Sequence, residues 1–274
     1  MGSQHYLLSS YHSPLPPTPS LLAIIGPKIP FEKPQSVQLW SFLNAGGTVL
    51  LADDYGTGNT LLEGLNVSAR FAGQPLADLY FYSKSPSFPV ISQFTADPIT
   101  RNLTTIIMDH ASYLNVSNPV TVKVLAISSP FSFIDESNNG TLSPAEKTQS
   151  YPVIATTHIG RGILVLVANS YIFTNEMISQ LNNRILFSNI LRLGNGTLGF
   201  DVVHPEKAPL TNTRIMFRNE LDIFVVTLHS AIFQLALTIA LAAVFCTALI
   251  LNRNTAKQRR RLRAPQSSLH TNRA

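Results

Sequence analysis

The sequence predicts an α/β domain with an open, mostly parallel layered sheet, followed by one transmembrane helix. Three observations carry this. Residues 21–25 (LLAII) and 48–52 (TVLLA) are predominantly apolar runs bounded by turn residues, the pattern of strands buried on both faces of a parallel sheet. A helical pattern joins them, and β-α-β order belongs to a doubly wound sheet. Residues 223–251 contain no Asp, Glu, Lys or Arg.

Residues 1–20 form a Pro-rich N-terminal segment, SPLPPTPS at 13–20, in which residues 6–9 suit one short strand. It has neither the positively charged start nor the apolar run of a signal peptide. Either the C-terminal anchor directs insertion or an upstream segment is absent. The domain proper is expected over residues 21–200. Its first strand ends at Gly26-Pro27. Pro34 then opens a helix through Asn44, with Val37, Leu39, Trp40 and Leu43 as its apolar positions, and Gly46-Gly47 closes it. After the strand at 48–52 comes the loop DDYGTGN, and Asn59 or Thr60 caps a short helix to Leu65. Residues 70–150 are irregular and strand-rich, with the best strands at 120–127 and 131–134. Residues 153–157 and 163–168 flank Gly160-Arg161-Gly162 as a hairpin. Thr174 is expected to cap a helix carrying Met177, Ile178, Leu181, Ile185, Leu186 and Ile190, ended by Gly194. A juxtamembrane linker covers 201–222.

A spanning helix needs about 20 apolar residues, and residues 232–251 supply them with only Gln234, Thr238 and Thr247 as mild exceptions. The tail at 252–274 holds Arg253, Lys257, Arg259, Arg260, Arg261, Arg263 and Arg273 and no acid. The whole chain carries +5 and this tail +7, which leaves residues 1–251 at −2. Basic residues beside a span stay on the cytoplasmic side, so the domain is expected outside and the tail inside, at the cell membrane. The RRRLR run then meets anionic headgroups rather than nucleic acid. The lone cysteine, Cys246, lies in the span, so the outer domain holds itself without disulfides. N-x-[ST] sequons at Asn66, Asn102, Asn115, Asn139 and Asn195 make these five the glycosylation candidates.

Two segments could carry chemistry. Asp53 and Asp54 stand at the carboxyl end of a parallel strand, where open α/β sheets bind ligands; with Gly56, Gly58 and Asn59 they are the ligand-binding candidates. No phosphate-loop pattern is present, and two carboxylates without a basic residue repel phosphate. The competing reading has one Asp capping the following helix while Gly56 and Gly58 make the turn. The second segment, residues 135–146, matches a twelve-residue calcium loop: Asp135, Ser137, Asn139, Thr141, Ser143 and Glu146 at the ligand positions and Gly140 at the sixth. Only two of these are charged, so calcium would bind weakly; the competing reading is an exposed Asn-Gly turn. No other cofactor is implied. Histidines form no H-x-H or H-x-x-x-H pair, His158 reads as an exposed turn residue, and there is no G-x-S-x-G nucleophile motif.

LLAIIGPKIPF, LWSFLNAGGTVLLADDYGTGNTLLEGL and HIGRGILVLVANSYIFTNEMISQLNNRILFSNIL together resemble an uncharacterised membrane-anchored family, domain of unknown function 4350. The resemblance covers roughly residues 20–195 plus the anchor. It implies a domain similar to class I glutamine amidotransferases, with a flavodoxin-like layered sheet. In a working amidotransferase the strand-to-helix elbow presents a Cys served by a His and an acid; here the comparable elbow carries Asp53 and Asp54, so amidotransferase activity is not implied. The family's usual first strand and helix have no counterpart before Tyr6, and Asn169 stands where relatives commonly show Asp. The expected function is therefore a non-catalytic, membrane-tethered, extracytoplasmic binding or scaffolding domain, with the lipid bilayer and membrane or envelope proteins as partners. The alternatives are a metal-assisted hydrolase using Asp53 or Asp54 and an auxiliary subunit of a membrane transport complex.

Overall fold

The computed structural model describes residues 4–8, 10–11, 15–16, 18–195 and 197–205. The expected span at 223–251 and the basic tail lie outside the described residues. No helix among the described residues is long and apolar enough to cross a membrane.

The elements run β1 (Gln4–Leu8), β2 (Leu21–Ile25), α1 (Lys33–Asn44), β3 (Thr48–Ala52), α2 (Asn59–Gly64), β4 (Ala69–Phe71), β5 (Leu76–Asp78), β6 (Val90–Ile91), β7 (Gln93–Phe94), β8 (Ile106–Ile107), β9 (Leu114–Val116), β10 (Val122–Ile127), β11 (Ser132–Ile134), β12 (Pro152–Ile159), β13 (Gly162–Val167), α3 (Asn183–Arg192) and β14 (Thr197–Asp201). Eight strands form the main sheet in the order β1-β14-β2-β3-β13-β12-β10-β7. Pairing is parallel from β1 to β13 and antiparallel from there to β7. The sheet is thus mixed and mostly parallel, and β1, from the N-terminal segment, forms its edge. Three two-stranded ribbons, β4-β9, β5-β11 and β6-β8, fill the stretch between β3 and β13.

Strand alternation explains why the central runs are apolar throughout. Leu22, Ile24, Val49, Leu51, Leu164 and Leu166 pack on one face with α1 and α2. Leu21, Ala23, Leu50, Ala52, Val165 and Val167 pack on the other with α3. Both faces are covered, as parallel sheets require. The 153–168 hairpin also forms, its Gly160 turning with φ +58.

Two expectations need correction. The helix expected from Thr174 begins only at Asn183. Leu181 takes a left-handed φ of +42, which ends any helix there. Asn182 Oδ1 accepts from the Thr104 and Thr105 N–H groups, and the Asn183 amide binds Ile107 and Met177, so these residues serve long-range contacts rather than a regular helix. On α1, Ser36, Leu39, Phe42 and Leu43 face the core, while Val37 and Trp40 are exposed. The small Ser36 sits inward because the backbone of Gly64 in α2 packs against it.

Candidate functional site

The connection leaving β3 runs to α2, on the α1 face, and the one leaving β13 leads to α3, on the opposite face. The carboxyl ends of β3 and β13 are neighbours, so their loops diverge and open a crevice at the switch point where α/β sheets bind ligands.

Asp53 and Asp54 follow β3 but do different work. Asp53, fully buried, accepts from the backbone N–H of Tyr55 (2.9 Å) and of Gly58 (2.7 Å), the residue that opens α2. It is the cap of its own turn, and Gly56 supplies the φ of +87 that lets the chain double back. Burial raises its pKa above the ordinary carboxylate range, against those backbone donors and the Lys28 ammonium. Asp54 reaches across to the β13 loop. Its Oδ1 accepts from Asn169 Nδ2 and from the Ser170 N–H, both at 2.8 Å, and its Oδ2 from the Ser170 hydroxyl. Burial raises its pKa too, opposed by the two Ser170 bonds and then by Asn169. Asn59 caps nothing; its amide pairs with both backbone groups of Phe71 and ties α2 to β4.

Beside Asp54 lies an open cleft of about 460 Å³. Tyr55 and Tyr171 stand on its sheet side, and the neighbouring Tyr55 side chain raises the Tyr171 pKa. The Lys28 ammonium lies 3.2 Å from the centre of the Tyr55 ring. The other walls come from the segment between β3 and β13: Gly73 and Gln74, Phe88, Asp109 and His110, and Asn138. Gly73 has φ +70, and a Cβ there would lie 2.7 Å from the Tyr55 carbonyl oxygen, so only glycine fits this approach. Asn169 holds the far wall: its Nδ2 donates to the Asp109 carbonyl (2.7 Å) and its Oδ1 accepts from the Asp109 N–H (3.2 Å). His110 Nδ1 lies 2.5 Å from Asp109 Oδ1, and its ring packs edge-on against Phe88.

In the 135–146 loop both carboxylates meet backbone donors. Asp135 accepts from the N–H groups of Asn139 (3.1 Å) and Gly140 (2.7 Å), and Glu146 from those of Glu136 (3.1 Å) and Ser143 (2.7 Å). Ser137 lies 3.4 Å from Asp135, and Asn139 Oδ1 accepts from Thr141 N–H and hydroxyl. These bonds close a turn that points Asn138 at the cleft. No group of three or more His, Cys, Asp or Glu suited to a metal ion occurs among the described residues. Register with β13 places His158 level with Thr48, at the opposite edge of the sheet from Asp53. The five-residue rise from Thr48 to Asp53 corresponds to about 17 Å. All five sequon asparagines are exposed: Asn66, Asn102, Asn115, Asn139 and Asn195.

The model of the family called domain of unknown function (DUF4350) matches residues 6–191. The chain belongs to this family. No curated protein matches the DUF4350 chain. Among solved structures it is similar to one described as the mmIFT52 N-terminal domain, with a TM-score of 0.50 and 18% identity over 63% of this chain and 76% of that one. It is also similar to a β-galactosidase from Bacillus circulans sp. alkalophilus, with a TM-score of 0.36 and 11% identity, spanning 22% of that enzyme's chain. At such identities the likeness concerns the fold alone. The cleft of this DUF4350 domain draws on six segments far apart in sequence. Gln74, Phe88, Asp109, His110 and Tyr171 carry no local motif; Asp54 and Tyr55 fell in the first stretch that sequence singled out, and Asn138 in the second, 135–146.

Proposed function

We propose that the chain is a non-catalytic binding or scaffolding domain, tethered outside the cytoplasm by the span at 223–251, with its ligand seat in the cleft between the β3 and β13 loops. The observation that carries this is the closed elbow. Asp53 and Asp54 stand at the elbow after β3, where the amidotransferase resemblance would imply a nucleophile, and both carboxylates are committed to internal hydrogen bonds. A group so committed organises a site more readily than it attacks a substrate. The neighbouring cleft stays open, in the size range of small-ligand sites. The stretch at 223–251, free of Asp, Glu, Lys and Arg, and the acid-free tail support the tether.

The test is a photo-crosslinking amino acid in the full chain, in cells, at Tyr171 in the cleft and at exposed Trp40 on α1. Benzophenone inserts into C–H bonds whatever the ligand's class. Adducts at 171 and not at 40 are expected; equal adducts at both, or none at 171, would sink the proposal.

The contact between His110 and Asp109 favours one rival, a hydrolase with His110 as general base oriented by Asp109. That rival requires turnover of a chromogenic ester, phosphoester or glycoside, lost in His110→Ala; we expect no turnover to lose. Association with a transport complex would use the same cleft, and the crosslinked partner identifies it.

A further inference from the structure

We infer that the cleft is a binding site for a neutral saccharide, with the aromatic hairpin beside it serving as a stacking platform for further sugar units. This rests on the cleft being the ligand seat and names what it takes. The argument turns on which polar groups are left uncommitted. Gln74 Oε1 is taken by the Tyr113 hydroxyl (3.0 Å), and its amide N–H₂ has no partner among the described residues. The Asn138 side chain, Asp109 Oδ2 and His110 Nε2 likewise have none among the described residues. The cleft therefore offers donors and acceptors together.

That mixture discriminates between ligand classes. A phosphate only accepts, and would face the carboxylates of Asp54 and Asp109. An ammonium only donates, leaving the two amides unanswered, and the Tyr55 ring already carries the protein's own Lys28 ammonium. A sugar hydroxyl donates and accepts at once, and pairs of hydroxyls match planar carboxylates and amides. Its ring also has an apolar C–H face, which the rings of Phe88 and Tyr171 can cover.

The hairpin of Phe88 extends this chemistry outward. Residues 81–83 pair with 88–90, through Ser83 N–H to Phe88 O and Val90 N–H to Phe81 O. Its outer arm exposes Tyr80 by 69%, Phe81 by 48% and Tyr82 by 41%, beside Phe131 at 41%. Tyr80 and Phe81 lie 5.0 and 6.1 Å from Phe131. This is a built surface, because fully buried Asp78 holds it. Asp78 accepts from the N–H groups of Tyr80 (3.0 Å) and Phe81 (2.7 Å) and from the hydroxyls of Ser129 (2.5 Å) and Ser132 (2.7 Å). A cluster of exposed rings on the hairpin that also carries Phe88 of the cleft fits an extended chain of sugars.

The experiment is calorimetric titration of the full chain, in a detergent without a sugar headgroup, with the β-linked trimers of N-acetylglucosamine, mannose and glucose. Tetramethylammonium chloride and inorganic phosphate are the comparison probes. At least one trimer should bind below about 10 mM, and Gln74→Ala and Asn138→Ala should each weaken it by about tenfold. Tyr80→Ala should weaken the trimer more than the matching monosaccharide, and Trp40→Ala should change nothing. Asn138 and Tyr80 are exposed, so their variants report even if Gln74→Ala unfolds. Absence of binding by all three trimers, binding that survives both amide variants, or displacement of a bound trimer by phosphate or tetramethylammonium would overturn the inference. If crosslinks form at residue 171 but no trimer binds, the saccharide falls and the cleft remains the ligand seat; if neither occurs, both fall.

Discussion

Asp53 and Asp54 are adjacent and both buried, yet they should respond oppositely to the same change. In Asp54→Asn the remaining oxygen still accepts from Asn169 and Ser170 N–H, and the new N–H₂ faces a hydroxyl that can turn to accept it. Asp53 faces two backbone donors, so Asp53→Asn sets a donor against a donor and leaves one buried N–H unpaired. Urea unfolding should show Asp53→Asn losing about 1–3 kcal/mol and Asp54→Asn under about 1 kcal/mol. Their pH dependence follows from burial, which raises both pKa values in the folded state. Over the window between the ordinary carboxylate range and the raised value, the folded chain holds a proton that the unfolded chain has lost. Stability from each group therefore falls as pH rises through that window. Asp54→Asn should flatten this decline above about pH 4, and an unchanged slope would show that burial does not control the group. The sequence offered capping and ligand binding as alternatives for this pair without assigning them. Adjacent residues point to opposite sides of the chain, and what lay on the second side, Asn169 and Ser170, was more than a hundred positions away.

The helix α1 shows what a pattern of apolar residues can and cannot say. Its existence and its limits were legible from Pro34, the apolar spacing and Gly46-Gly47. Its orientation was not, because Ser36 is polar yet buried and Trp40 is apolar yet exposed. Leu39→Ala should therefore cost about 2–5 kcal/mol, and Trp40→Ala should fall within about 0.5 kcal/mol of the parent. Thermal unfolding of the pair checks the face directly. Against the first turn of α1, His204 is fully buried, stacked 3.7 Å from Phe31 and hydrogen-bonded to Asp201 (2.6 Å) and Gln35 (3.2 Å). His204→Ala should cost about 3–5 kcal/mol, since it empties a packed site and leaves Asp201 short of a partner. Nothing in the spacing of seven scattered histidines marked this one. Burial of a lone imidazole depends on partners from other elements.

For the whole molecule, the central strands, their parallel pairing and the last hairpin followed from composition and turn residues. Between α2 and that hairpin only β10 and β11 were legible, within the strands expected at 120–127 and 131–134; the others, two or three residues long, leave no periodicity to read. The proposed topology is open to a direct measurement. With Cys246 replaced by Ser and a single cysteine placed at Thr255, an impermeant maleimide should label intact cells only after permeabilisation; a cysteine at exposed Asn139 should label at once. The reverse pattern would place the domain inside. The floor of the cleft is formed by the loops that leave β3 and β13, while most of its walls come from residues 73–138, between those two core strands. Heritable change in what the cleft recognises can thus accumulate in the walls while the floor keeps its composition. Two descendants of one ancestor can share a scaffold and differ wholly in diet.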